Sequence, residues 1–196
     1  MLAKKIAIII PFYNEEDNLT FFIKEWEKLI AGKKNYQKIL FFYFINDGST
    51  DQSVIKIKQN VKRLKFKIIN KSNSGHGDSC KFAYDMIVNN NKTFEYLLQI
   101  DSDNQCDPKY LKKFLMLLKS KNYDFIFGFR KFRQDGYIRV LNSRILSLTF
   151  YLKKLIYIKD LNTPYRLMKI SKLKNILLNI KNKKIYKKIK FFNCVL

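Results

Sequence analysis

The stretch QIDSDNQCDP, residues 99–108, places three aspartates within seven positions of a strongly basic chain. Asp101 and Asp103 follow an apolar run, and residues two apart at the end of a strand point to the same side. Two hard oxygen ligands, with the amide of Gln105 as a further candidate, suit Mg²⁺ or Mn²⁺ and leave room for phosphate oxygens. The spacing therefore predicts a divalent cation that in turn binds a diphosphate.

Asp107 has a simpler interpretation. It precedes Pro108, and proline is favoured at the first position of a helix because its missing N–H is not needed there. We therefore expect Asp107 to cap a helix that begins near residue 107 and buries the apolar stripe from Leu111 to Leu118.

Polar loops of the same kind follow four predicted strands. These strands cover residues 5–10, 38–45, 65–69 and 94–100, and helical spacing between them is typical of βαβ units. They run into the loops PFYNEEDN, NDGSTD, NKSNSGHGDS and DSDNQCD. Because ligands bind beyond the carboxyl ends of the strands in open parallel sheets, the four loops predict one polar crevice.

Two of these loops also fit ordinary turn chemistry. NDGSTD is consistent with a glycine turn followed by a Ser or Thr helix cap. SNSGHGDS lacks the spacing of known nucleotide-binding loops and is consistent with a flexible turn. His76, the single histidine of the chain, is interpreted as a loop residue rather than as a base or a metal ligand.

The remaining pattern favours one α/β domain over residues 1–196, with a mostly parallel sheet flanked by helices. A further strand is predicted at residues 123–129. Beyond it the alternation fades, and residues 138–196 are predicted to be mostly helical and strongly basic.

The net charge of +23 comes from 39 Lys and Arg against 16 Asp and Glu. Such an excess suits nucleic acid, an anionic membrane surface or a phosphate-rich small substrate, and compositional drift is an equal alternative. The lysines are dispersed, no recognition motif occurs, and carboxylates on the predicted rim would repel a phosphate backbone. These features argue against a nucleic-acid-binding module.

The cysteines indicate a reducing, cytoplasmic compartment. There are three, an odd number without CxxC spacing, so neither a disulfide framework nor a zinc site is predicted. No secretory leader is expected, since the first apolar run ends at Pro11, and no run of about 18 apolar residues predicts a transmembrane helix.

Taken in order, the loops resemble those of the family-2 inverting glycosyltransferases with the GT-A fold, and look most like polyprenyl-phosphate glycosyltransferases of the dolichyl-phosphate mannose synthase type. PFYNEEDNL resembles P-x-Y-N-E-E-x-N-L, FINDGSTD resembles D-D-G-S-T-D with Asn46 at the first Asp, and NSGHG resembles N-x-G-x-G. DSDNQCDP is similar to D-A-D-x-Q-x-D-P, GFR to G-S-R, and DLNTPYRLMK to D-x-x-x-P-F-R-L-M-R. The match extends from residue 5 to about residue 170.

This resemblance implies a metal-dependent enzyme that moves a sugar from a UDP- or GDP-sugar to a polyprenyl phosphate or a cell-surface glycan precursor. It implies that Asp47 faces the base, that Asp101 lies near the ribose and diphosphate, and that Asp101, Asp103 and Gln105 hold Mg²⁺ or Mn²⁺. The residues implied for the nucleotide pocket are Pro11, Tyr13, Glu15, Asp47, Gly75 and Asp101.

On the acceptor side, the resemblance places Arg130, Arg139 and Arg166 near the acceptor or the departing phosphates. A hydroxyl acceptor would need a carboxylate to take its proton, and Asp160 is the candidate, whereas a lipid phosphate is already an anion.

The resemblance also divides the domain into a donor and metal half at residues 1–105 and an acceptor half at residues 106–196. In the second half, residues 146–159 mix aromatic and aliphatic side chains with Lys. They are interpreted either as a segment on the anionic inner face of a membrane or as a core helix with solvated lysines.

The end of the sequence departs from the resembled pattern, in which a further segment usually follows. We therefore expect the sheet to lack an edge strand and residues 191–196 to form an apolar tail without a partner. A natural short form, a truncated product, a subunit of a homo-oligomer and a non-catalytic partner subunit are the open alternatives.

Overall fold

The structure is a computed structural model that describes residues 4–90, 93–120, 123–129, 145, 148, 160, 163, 165–181 and 191–195. In these residues a seven-stranded sheet lies between two layers of helices, which confirms the predicted α/β class. The strands are β1 (Ile6–Phe12), β2 (Leu40–Asn46), β3 (Phe66–Asn70), β4 (Tyr96–Ile100), β5 (Phe125–Phe129), β6 (Tyr165–Lys169) and β7 (Phe191–Val195). The helices are α1 (Glu16–Ile30), α2 (Lys34–Ile39), α3 (Ser53–Asn60), α4 (His76–Asn90), α5 (Tyr110–Ser120) and α6 (Ile170–Lys181).

The sheet is mostly parallel, as predicted, with the strand order β3-β2-β1-β4-β6-β5-β7. β6 pairs antiparallel with β4 and β5, and the other neighbouring pairs are parallel. Because β1 to β4 all run in one direction, the loops that follow them leave the sheet at the same edge.

The interior strand β1 shows why the apolar runs of this sequence are continuous. Its seven residues are all buried, since helices cover both faces of the sheet. Ile6, Ile8 and Ile10 pack in one cluster with α1, α3 and α5, whereas Ala7 and Ile9 pack in a second cluster with α4 and α6. Burial of each large aliphatic side chain contributes about 1.5–3 kcal/mol.

Asp107 holds the turn that leads into α5, and the helix begins at Tyr110 rather than at the predicted Pro108. Its Oδ1 accepts the backbone N–H of Lys109 at 2.8 Å, and its carbonyl oxygen accepts the N–H of Tyr110 at 3.1 Å. The side chain therefore satisfies a donor of the helix start and is not a member of the cavity described below.

The C-terminal part contains, beside the helix α6, two strands that were not predicted. Two strands, β6 and β7, lie on either side of β5. β7 pairs in parallel with β5, from Phe125 opposite Phe191 to Phe129 opposite Val195. The predicted unpaired tail is therefore wrong, because residues 191–195 form the edge strand that was expected to be missing. Short apolar runs do not distinguish a strand from a helical segment by periodicity alone.

The loops after β1 and β2 cap each other's helices. The N–H of Glu16 donates to Asp51 Oδ2 at 3.1 Å, and the N–H of Gln52 donates to Glu16 Oε2 at 2.8 Å. The N–H of Thr50 likewise donates to Asn14 Oδ1 at 2.9 Å. These reciprocal bonds satisfy orphan donors at the starts of α1 and α3, so the two loops are fixed relative to each other.

Gly48 lets the β2 loop approach the β3 loop closely. Its φ is +75°, and a Cβ atom there would lie 2.9 Å from the backbone nitrogen of Asn73. Asn46 supports the same turn, since its Oδ1 accepts the N–H of Ser49 at 2.8 Å and its Nδ2 donates to Asn70 Oδ1 at 3.0 Å. An ionised Asp at position 46 has no proton for that second bond.

Glu27 of α1 holds the turn that leads into β3. Its Oε1 accepts the N–H groups of Lys62, Arg63 and Leu64 at 2.8, 2.7 and 3.2 Å. The Glu27 side chain is buried, and its Oε2 lies 3.7 Å from the guanidinium of Arg63. Hydrogen bonds to a charged acceptor are stronger than neutral ones, so this carboxylate fixes the start of the strand.

We expect Gly48→Ala to lower the free energy of unfolding by about 1–3 kcal/mol, because it adds left-handed backbone strain to a steric conflict with Asn73. The matched control is Gly75→Ala, since Gly75 has φ +90° but open space around its Cβ position. Urea denaturation measures both variants. An equal loss at the two glycines would contradict the close approach of the two loops.

We expect Glu27→Gln to cost about 1–3 kcal/mol of unfolding free energy, because a neutral amide oxygen replaces the carboxylate that accepts three backbone N–H groups. The control is Glu25→Gln, which removes only a surface ion pair with Lys28 on the same helix and should change stability by about 1 kcal/mol or less. If the two variants unfold at the same urea concentration, Glu27 does not hold the turn.

Candidate active site

The loops after β1 to β4 open onto one cavity at the carboxyl edge of the sheet, with a volume of about 230 Å³. The predicted polar crevice is therefore present. Its lining residues are Pro11, Phe12, Tyr13, Glu15, Asp47, His76, Ser79, Asp101, Ser102 and Asp103. Six of the residues predicted from the sequence share this cavity, namely Pro11, Tyr13, Glu15, Asp47, Asp101 and Asp103.

Asp101 lines this cavity and has a side-chain oxygen atom without a hydrogen-bond partner. Its Oδ1 is buried and accepts no hydrogen bond, although buried polar atoms are nearly always paired. Burial raises the pKa of Asp101, and the charge of Asp103 adds to the rise, whereas His76 and Arg166 oppose it. The surroundings thus leave a carboxylate oxygen that accepts no hydrogen bond and has the His76 Nε2 3.6 Å away.

Asp103 lines the same cavity and uses one oxygen for its own loop. Its Oδ1 accepts the N–H of Gln105 at 3.1 Å. The side chain of Gln105 is exposed, and this residue is not part of the cavity lining. Its assignment as a metal ligand therefore stays a prediction.

The cavity fits a cation only if a substrate supplies further ligands. The described residues contain no group of three or more His, Cys, Asp or Glu side chains that could hold a metal ion. Mg²⁺ and Mn²⁺ are commonly bound by one or two carboxylates together with phosphate and water oxygens. The unpaired Oδ1 of Asp101, with Asp103 beside it in the cavity, suits that arrangement.

Asp47 reaches the cavity, but the β3 loop occupies its carboxylate. Its Oδ1 accepts bonds from Lys71 Nζ and from the N–H of Ser74 at 3.0 Å, and its Oδ2 accepts the N–H of Gly75 at 2.8 Å. Burial alone would raise the pKa of Asp47, but these hydrogen bonds outweigh it and lower the pKa overall. The Asp47 side chain, only 4% exposed, therefore holds the loop that precedes α4.

Lys71 is a site residue that sequence reasoning missed. Its Nζ also donates to the Ser72 carbonyl oxygen at 2.6 Å and to Ser74 Oγ at 2.7 Å. One lysine among 39 Lys and Arg residues carries no signal of its own. Only the folded loop shows that it neutralises Asp47.

His76 is the first residue of α4, which corrects its interpretation as a loop residue. Its Nε2 lies 3.6 Å from Asp101 Oδ1 and 3.5 Å from Cys80 Sγ, one helical turn later. Burial raises the pKa of the Cys80 thiol to about 12, and the charge of Asp101 adds to the rise, so the thiol stays protonated at neutral pH. Sequence spacing cannot relate His76 to Asp101, because their proximity arises from the sheet.

Arg166 lies in the sheet beside the cavity rather than in its lining. It is opposite Gln99 in the β4–β6 pairing, and the Gln99 Oε1 accepts a bond from the Tyr84 hydroxyl. Arg166 Nε donates to the Thr163 carbonyl oxygen at 3.0 Å. The guanidinium charge lowers the pKa of Asp101, so Arg166 favours the ionised carboxylate.

Asp160 is the one other acceptor-side prediction that falls on the described residues, and it does not line the cavity. Asp160 is buried, its carbonyl oxygen accepts the N–H of Thr163 at 3.3 Å, and it is not a lining residue. Arg130 and Arg139 lie outside the described residues, as does residue range 146–159 apart from Leu148, which is exposed. Within the described ranges, no helix has the length and apolar character needed to cross a membrane.

Comparison with known proteins identifies the fold and the family. Residues 7–189 match the family model described as glycosyl transferase family 2. An uncharacterised protein of Methanocaldococcus jannaschii is 26% identical over 179 residues, which cover 86% of this chain and 73% of that protein. The undecaprenyl-phosphate 4-deoxy-4-formamido-L-arabinose transferase of Photorhabdus laumondii is 24% identical over 147 residues, and the match covers 74% of this chain. This chain spans only 42% of the length of that transferase.

Two solved structures show the same fold at low sequence identity. Glucosyl-3-phosphoglycerate synthase from Mycobacterium tuberculosis, in complex with Mn²⁺, UDP-glucose and phosphoglyceric acid, has a TM-score of 0.68 at 14% identity, and the match covers 99% of this chain and 71% of that one. S. aureus TarS in complex with UDP-GlcNAc has a TM-score of 0.62 at 19% identity, over 93% of this chain and 48% of that one. The fold is therefore GT-A, as the motifs predicted. The family model covers most of the chain and reaches from β1 to β6. Since the fold agrees with it, the chain belongs to glycosyl transferase family 2.

Proposed function

We propose that this protein transfers a sugar from a nucleotide-diphosphate donor to an acceptor, with a divalent cation bound beside Asp101 and Asp103. The observation that carries the proposal is the unpaired, buried Oδ1 of Asp101 in a cavity built from the loops after β1 to β4. Family membership supports the reaction class, and a structural neighbour solved with Mn²⁺ and UDP-glucose supports the cation and the donor.

The chemistry follows from the charges around the cavity. A bound cation would offset the negative charge that develops on the departing diphosphate. The bond between sugar C1 and the diphosphate oxygen breaks, the nucleoside diphosphate keeps the electron pair, and an acceptor oxygen bonds to C1 from the opposite face. Asp101 and Asp103 orient the donor, and Arg166 helps to keep Asp101 ionised.

A polyprenyl phosphate is the acceptor that we propose, supported by the relatives named undecaprenyl-phosphate transferases. A phosphate acceptor is already an anion and needs no strong base, so Asp160 would act as a base only with a hydroxyl acceptor such as a glycan precursor. Contact of residues 146–159 with the inner face of a membrane stays a prediction, because the segment lies almost wholly outside the described residues.

The described geometry favours neither rival function. Four carboxylates line the cavity, from Glu15, Asp47, Asp101 and Asp103, and they would repel a nucleic-acid backbone. A non-catalytic subunit would bind the nucleotide without sugar transfer, so binding and turnover must be measured separately.

We expect UDP or GDP to bind tightly only with Mn²⁺ or Mg²⁺, and Asp103→Asn to weaken that binding roughly 10–100-fold, as changes at metal sites typically do. Isothermal titration calorimetry with and without EDTA gives the affinities, and a radiolabelled sugar donor with undecaprenyl phosphate gives the transfer rate. The control is Asp107→Asn, which alters a helix cap outside the cavity. Binding that is unchanged by EDTA or by Asp103→Asn would contradict the proposed cation site.

We expect Lys71→Met to cost about 3–5 kcal/mol of unfolding free energy, because it leaves the buried Asp47 charge without its partner. The control is Lys67→Met, the same substitution at an exposed position of β3.

The Asp47 carboxylate accepts hydrogen bonds from the β3 loop. We therefore expect Asp47→Asn to weaken the binding of UDP and the binding of GDP by a similar factor. A selective loss of one nucleotide in Asp47→Asn would instead show that Asp47 contacts the base, as the resemblance implies.

A further inference from the structure

We propose that His76 is a nitrogen ligand of the cation bound beside Asp101, and that it makes this site favour Mn²⁺ over Mg²⁺. The inference rests on the proposed function, since that function supplies the cation. It adds a residue from α4 to a site otherwise built from the loop after β4, and it states which metal the site selects.

The first argument is the position of His76 relative to the unpaired oxygen. Its Nε2 lies 3.6 Å from Asp101 Oδ1, and both residues line the cavity. Atoms that ligate one ion at about 2.1 Å lie roughly 3 Å apart at right angles and about 3.4 Å apart in a tetrahedron. The observed separation is therefore close to that of two ligands of one metal.

The second argument is that His76 is free to complete such a pair. Its side chain is 57% exposed, so a small rotation toward the cavity meets little resistance from packing. The neighbouring sulphur of Cys80 is buried and Cys80 does not line the cavity, whereas His76 does. The imidazole nitrogen is thus the better ligand of the two.

The third argument concerns the remaining ligands. The described residues hold no complete set of three metal-binding side chains, so diphosphate oxygens must complete the coordination. The start of α4, where His76 lies, presents backbone N–H groups and a positive dipole end that favour those oxygens. The start of α4 would therefore contribute a ligand to the cation and would also attract the diphosphate that the cation binds.

The choice of metal follows from ligand chemistry. Mg²⁺ takes oxygen ligands in near-ideal octahedral geometry and dehydrates reluctantly. Oxygen ligands suit Mn²⁺ as well, but Mn²⁺ is a first-row transition ion and accepts an imidazole nitrogen beside them more readily than the harder Mg²⁺ does. A nitrogen ligand at this site would consequently strengthen Mn²⁺ binding and leave Mg²⁺ binding nearly unchanged.

The test uses pulsed electron paramagnetic resonance on Mn²⁺ bound to the full chain with UDP. His76 is the single histidine, so an imidazole nitrogen coupling has one possible source in the protein. We expect the wild type to show this coupling, and we expect the coupling to change its isotope pattern when the histidine is labelled with ¹⁵N. The coupling should be absent in His76→Ala. Titration should show Mn²⁺ affinity falling roughly 10–100-fold in that variant, with Mg²⁺ affinity unchanged.

A control and the contrary outcomes complete the design. Cys80→Ala removes the thiol beside the imidazole and should keep the nitrogen coupling. That result would show that local repacking does not cause the loss of the coupling in His76→Ala. If Mn²⁺ binds with UDP and depends on Asp103 but shows no imidazole coupling, the His76 inference fails and the proposed function survives. If folded wild-type protein binds no Mn²⁺ with any nucleotide, both fail. Equal weakening of metal-free UDP binding in His76→Ala would mean that His76 contacts phosphate directly, which also overturns the inference.

Discussion

A buried carboxylate oxygen that no protein group satisfies is the constraint on which the site depends. Asp101 follows the central strand β4 and lines the cavity, and its Oδ1 is buried without a hydrogen-bond donor. Such an atom is costly to leave unpaired. His76 on α4 and Arg166 on β6 both oppose the rise that burial causes in the Asp101 pKa. Neither neighbour is close in sequence, so it is the α/β sheet that brings both groups near this carboxylate.

Around that atom, some polar residues of the motifs line the cavity, and others hold the loops together by hydrogen bonds. Asn14, Glu16 and Asp51 bind the backbone of a facing loop, and Asn46 links the β2 turn to the end of β3. Asp47 belongs to both groups, since it lines the cavity while Lys71 and two loop N–H groups occupy its oxygens. A rim joined in this way loses little conformational entropy when a ligand arrives, because its loops are already ordered.

The parts that were predictable from the sequence are those governed by local rules. Continuous apolar runs separated by helical spacing predicted β1 to β5, and the position of Asp101 and Asp103 after β4 predicted a shared cavity. Pro11 was expected to end β1, but the strand extends to Phe12 because both residues stay paired opposite β2. His76 and Lys71 were not recognised as site residues, since each acquires its role from a contact with another loop. β6 and β7 were missed because their pairing partners are distant in sequence and one of them is antiparallel.

The strand order has a consequence for how the chain assembles. β1 to β4 are joined by successive βαβ units, and they are neighbours in the sheet in the order β3-β2-β1-β4. They can therefore associate as soon as residue 100 has been synthesised. β5 is different, because its neighbours β6 and β7 both come later in the chain. During synthesis β5 must therefore wait, with its backbone groups solvated, until residues 165–169 emerge and insert between it and β4. Closing such long loops slows folding, so residues 6–100 can acquire structure on the ribosome well before the remaining strands pair.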